Sequence, residues 1–96
     1  MEWKEKREKA LQASQYVQKG KEYEAAGELS QAEEEFKQAA MLHSELSDKT
    51  GEKDFLAAAR EDYERLADIH MQQGNMHGAD HFYVLSMDCR RRMQEE

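Results

Sequence analysis

The chain has 96 residues, enough for one small domain near the size at which a single core becomes marginal. It has no proline, 36% charged residues, a mean hydropathy of -1.10 and a formal net charge of -7. That charge argues against a phosphate-binding surface and so against nucleic acid as a partner. No apolar run approaches the roughly 18 residues of a membrane span.

The first element is a helix from about Glu2 to Ala26, opened by Glu2/Lys6 and Glu5/Lys9 in the favourable i,i+4 order. Its charged opening, Met1 to Ala10, lacks the apolar segment of a secretory leader. The second helix runs from about Gln31 to Leu46. Ser30 and Glu33 have the spacing of a capping box before it, and an apolar stripe follows through Leu29, Ala32, Phe36, Ala39, Leu42 or His43, and Leu46. The polar stretch Ser47–Glu52, with Gly51, is the one linker-like segment. A third helix, Lys53 to Gln73, carries Phe55, Leu56, Ala59, Tyr63, Leu66, Ala67 and His70. The fourth, Gly78 to Gln94, carries Met76, Ala79, Tyr83, Ser86 and Met93, with Phe82, Leu85 and Cys89 as a second stripe. Val17, Thr50, Ile69 and Val84 are the only β-branched residues, so an all-α fold of four antiparallel helices is expected.

Gly27 and Gly74 separate the helices of two hairpins, at positions where a left-handed residue ends a helix. Gly20 lies inside the first helix, where a missing side chain lets a partner helix approach. Gly78, in the first turn of the last helix, predicts a weaker start than the one at Ser30.

The two hairpins repeat a pattern. Tyr16, Gly20, Tyr23, Gly27, Leu29, Ala32, Phe36 and Ala39 recur 47 residues on as Tyr63, Ala67, His70, Gly74, Met76, Ala79, Tyr83 and Ser86. A repeat of this kind indicates stacked copies of one helical unit.

In these residues the chain resembles the tetratricopeptide repeat, a helix-turn-helix of about 34 residues. The first copy, about residues 13–46, matches best, above all in Gly27 to Phe36; the second, about residues 60–93, matches more loosely. The 47-residue period is longer than the family's, and the proline that often closes a repeat is absent, with Ser44 in its place. Extension of helices two and three around Gly51 accounts for the difference.

The resemblance implies a non-enzymatic adaptor that presents a groove, lined by the first helix of each copy, to a protein or peptide. The corresponding positions are Ser14, Val17, Gln18, Lys21 and Glu24 in copy one, and Glu61, Glu64, Arg65, Asp68 and Gln72 in copy two. Glu61, Glu64 and Asp68 share one face of the third helix. They form either a solvated carboxylate face or a seat for a basic partner.

Two copies lack the usual capping elements. The last helix shows Phe82, Val84, Leu85, Met87 and Met93 on more than one face, so either the helices close into a bundle or Phe82, Leu85 and Met93 join a homodimer. A third reading places a metal on His70, His77 and His81. No CxxC or HExxH motif supports it, and no cofactor is expected. Cys89 falls on an apolar stripe, which predicts a buried thiol despite Arg90, Arg91 and Arg92 beside it. A lone cysteine fits a reducing compartment, and the expectation is a cytoplasmic protein.

Overall fold

The computed structural model describes residues 1–95. It contains four helices, α1 (Trp3–Ala25), α2 (Leu29–Thr50), α3 (Lys53–Gln72) and α4 (Met76–Gln94). Short turns make consecutive helices antiparallel, and extensive packing is confined to α1 with α2, α2 with α3 and α3 with α4. The molecule measures 40 × 27 × 14 Å. A square bundle would have two similar short dimensions, so the four helices form an open, staggered row instead. The last helix does not close onto the first.

Gly27, Gly51 and Gly74 have φ of +77°, +70° and +76°, the left-handed geometry that ends α1, α2 and α3. The Ser47–Glu52 linker contracts to Gly51 and Glu52, because α2 continues to Thr50 and α3 begins at Lys53. Long middle helices thus fill the 47-residue spacing.

Two local expectations are corrected. The Ser30–Glu33 capping box does not form: α2 begins at Leu29 with Glu28 at its N-cap and no side-chain cap. Ser30 is already helical, and the Glu33 carboxylate is drawn to Lys37 Nζ (3.1 Å) and His70 Nε2 (2.9 Å). Conversely, α4 starts at Met76 and is the helix with a side-chain cap, since the Gly78 amide donates to Asn75 Oδ1 at 3.0 Å. Gly78 is required by crowding. A Cβ there would lie 2.6 Å from His70 Nδ1 and 2.7 Å from Asn75 Nδ2. At the start of α1, Lys9 does pair with Glu5 (3.6 Å), but Lys6 reaches Glu52 at 2.6 Å in place of Glu2.

The core runs along α2. Ala32, Phe36 and Ala40 pack with Leu66 and Ile69 of α3, flanked by Val17, Tyr23, Leu29, Tyr63 and Phe82. A smaller cluster joins Leu56 and Ala59 to Cys89, with Tyr63 and Met93 against it. The small positions of the two hairpins are matched in burial, Gly20 with Ala67, Ala32 with Ala79, and Ala39 with Ser86, whereas Phe36 is buried where Tyr83 is half-buried.

Gly20 is explained by Phe36. A Cβ at residue 20 would stand 2.8 Å from two ring carbons of a fully buried phenyl group. Gly20→Ala improves helix propensity by about 1 kcal/mol, but overpacking costs about 1–3 kcal/mol. The expected outcome is a net loss of stability, measurable as a lower urea midpoint.

Candidate functional site

The first and third helices flank an open groove of about 520 Å³. Lys21 of α1 and Glu61, Glu64, Arg65 and Asp68 of α3 line it. These are five of the ten positions the sequence nominates. They face one space because Lys21 follows buried Gly20, while 61, 64, 65 and 68 are one turn apart on the side of α3 opposite Ala59 and Leu66.

The other five fall outside its lining. Gln18 is exposed, bonds Glu22 (3.4 Å) and lines a separate depression of about 480 Å³ with Gln12, Gln15, Lys19 and Glu35. Gln72 is exposed at the end of α3 and does not line the groove. Of the remaining copy-one positions, Ser14 is exposed, Val17 packs on the core and Glu24 pairs with Arg65 at 3.4 Å.

The charges of the groove are unequally engaged. Glu64 is held by Arg60 (3.1 Å) and Arg90 (3.7 Å). Arg65 is fixed twice, by Glu24 and by its guanidinium lying 5.6 Å from the Phe36 ring centroid. Asp68 accepts a hydrogen bond from the Tyr83 hydroxyl at 3.3 Å. Burial and the Asp68 charge hold that phenol above its usual pKa, so it stays a donor. Glu61 and Asp68 have no cationic partner among the described residues. They are the carboxylates open to a ligand.

Sequence reasoning missed the ion pairs that occupy Glu64 and Arg65: Glu24 and Arg90 come from other helices, whereas Arg60, four residues before Glu64 on α3, was a signal in the spacing itself. It also missed Asp62, which is 2% exposed and bonded to His43 Nδ1 at 2.5 Å. A signal was present. Asp62 stands three residues after Ala59 and four before Leu66, a carboxylate in line with an apolar stripe.

The histidines have other tasks. His70 donates from Nε2 to Glu33 and accepts at Nδ1 from Asn75 (3.0 Å), with its ring stacked 5.3 Å from Phe82. Both nitrogens are thereby used. His77 and His81 are exposed on α4, and no group of three or more His, Cys, Asp or Glu suited to a metal occurs among the described residues. Cys89 is 4% exposed, and burial pushes its thiol up against the pull of Arg92 and Arg60. A protonated, buried thiol is a poor nucleophile.

Phe82 and Met93 pack against this chain's own clusters, and Leu85 is half-buried. The exposed apolar residues of α4 are instead Met76, Val84 and Met87. Among the described residues, no helix is long and apolar enough to cross a membrane.

No family model, curated protein or solved structure matches this chain. The site's geometry therefore carries the functional argument.

Proposed function

We propose that this protein is a non-enzymatic interaction module, similar to a pair of tetratricopeptide repeats, whose α1–α3 groove receives a basic peptide. It would act in a reducing compartment such as the cytoplasm, where Cys89 stays a thiol. The observation that carries the reading is the convergence of Lys21, Glu61, Glu64, Arg65 and Asp68 on one groove. Within it, Glu61 and Asp68 are left for a partner.

Asp68 lies seven residues after Glu61, about 10 Å along a helix rising 1.5 Å per residue. A peptide in the polyproline II conformation advances about 3.1 Å per residue with three residues per turn, so basic side chains at i and i+3 share a face and span nearly the same distance. Lys21 on the opposite wall is available to a peptide carbonyl. Arg65, clamped by Glu24 and Phe36, gives the α3 wall a fixed shape.

The test is binding of labelled peptides with Lys or Arg at positions i and i+3, followed by anisotropy. Joint replacement Glu61→Lys and Asp68→Lys alters exposed positions, so the helical circular dichroism is expected to persist. Binding should fall at least about tenfold, and wild-type binding should weaken as salt rises. Equal binding by the wild type and the double variant would refute the proposal.

A further inference from the structure

The outer face of α4 is a separate surface, on the opposite edge of the row from α1. Val84 and Met87, each 62% exposed, form its apolar centre, and with Asp88 and Arg91 they line a shallow depression of about 390 Å³. The full stripe is His77, Asp80, Val84, Met87, Arg91 and Gln94, all exposed and alternately three and four residues apart. That spacing keeps all six on one face of α4, with Val84 and Met87 as the apolar pair that a helix laid along it would meet.

The charges on this stripe specify the second helix. Asp80 stands four residues before Val84, and Arg91 four residues after Met87. Two copies of α4 packed antiparallel about a twofold axis between residues 85 and 86 would place Val84 against the other copy's Met87. The same axis puts Asp80 opposite the other copy's Arg91, twice. A parallel arrangement would instead oppose Asp80 to Asp80 and Arg91 to Arg91. In the single chain Arg91 leans on Asp88 at 2.6 Å, while Asp80 has no ion-pair partner among the described residues.

We infer that α4 is a self-association surface, through which two copies of this chain form an antiparallel dimer centred on Val84 and Met87. The stripe is self-complementary, as a twofold interface must be. Only one helix per protomer takes part. The contact is therefore smaller than the roughly 800 Å² per partner of a standard interface, and dimerisation is concentration-dependent. The α1–α3 grooves stay open, so the dimer presents two of them and binds multivalent partners more tightly. The inference does not depend on what the groove binds.

Sedimentation equilibrium on the intact chain tests it. Wild type is expected to show a monomer–dimer equilibrium. Asp80→Arg alone and Arg91→Asp alone should each weaken the dimer at least about tenfold, by setting like charges together twice. The double variant Asp80→Arg/Arg91→Asp should regain near wild-type association, because swapping both charges restores the pairs. Met87→Glu should abolish association while the circular dichroism remains helical. A wild type that stays monomeric to about 1 mM would overturn the inference. So would single variants that dimerise normally, failure of the double swap to recover, or capture of unrelated helical peptides by Val84 and Met87 with no self-association.

Discussion

Phe36→Ala is expected to lower stability by about 3–5 kcal/mol, the range for removing a buried phenyl group. The ring is fully buried, and it sits where α1, α2 and α3 meet. It fills the space over Gly20 and supports the Arg65 guanidinium from below. Small domains have about 5–15 kcal/mol in total, so the variant is left near the unfolding threshold. Urea denaturation followed by circular dichroism measures the loss. The effect of Gly20→Ala should change sign in this background. With the ring gone, nothing meets the new Cβ, and the roughly 1 kcal/mol gain in helix propensity emerges. Destabilisation by Gly20→Ala in both backgrounds would show that Phe36 is not the reason for the glycine.

Asp62→Ala is expected to cost about 3 kcal/mol, because it strands the buried His43 imidazole without its partner. Asp62→Asn keeps an acceptor in place and should cost much less near neutral pH. The pH dependence gives a sharper result. Burial pushes the Asp62 carboxyl above the usual carboxylate range, outweighing the hydrogen bond and charge of His43, with Glu61 adding to the rise and Arg65 opposing it. The folded protein thus holds this proton more tightly than the unfolded chain does. The stability that Asp62 contributes is fully present below its unfolded pKa of about 3.9, and is lost as pH rises through the higher folded value. Asn has no proton to lose. Urea midpoints of the two proteins, compared from acid to neutral pH, should therefore shift in favour of Asp62→Asn as pH rises across that window. A shift in favour of the wild type would mean that the His43 pairing dominates.

The helices and their order were legible because the apolar spacing is regular and Gly27, Gly51 and Gly74 mark the breaks. Gly20 was legible for a similar reason: its counterpart is Ala67, so smallness at that place follows from the repeat. Capping was not. Ser30 and Glu33 have the right spacing, yet Glu33 gains more by reaching Lys37 and His70, a choice fixed by tertiary neighbours. Asn75 was overlooked as a cap because Gly78 drew the start of α4 two residues too far along.

The groove was partly legible. Side chains one turn apart on α3 point the same way whatever surrounds them, so Glu61, Glu64, Arg65 and Asp68 were found together. Which of those charges are already satisfied depends on Glu24 and Arg90, brought near only by packing, and on Arg60, one turn before Glu64 on the same helix. The exposed stripe of α4 was similarly blurred. Phe82 and Leu85 rank above Val84 and Met87 in bulk apolar surface, but Phe82 turns inward to stack on His70 and Tyr63 (6.3 Å).

The groove as binding surface is tested most directly by mapping amide chemical shifts of the full chain as a peptide with Lys at i and i+3 is added. Saturable shifts confined to the α1 residues near Lys21 and to Glu61–Asp68 of α3 are the predicted result. Shifts centred on α4, on the Gln12–Gln18 depression, or absent at saturating peptide would contradict it.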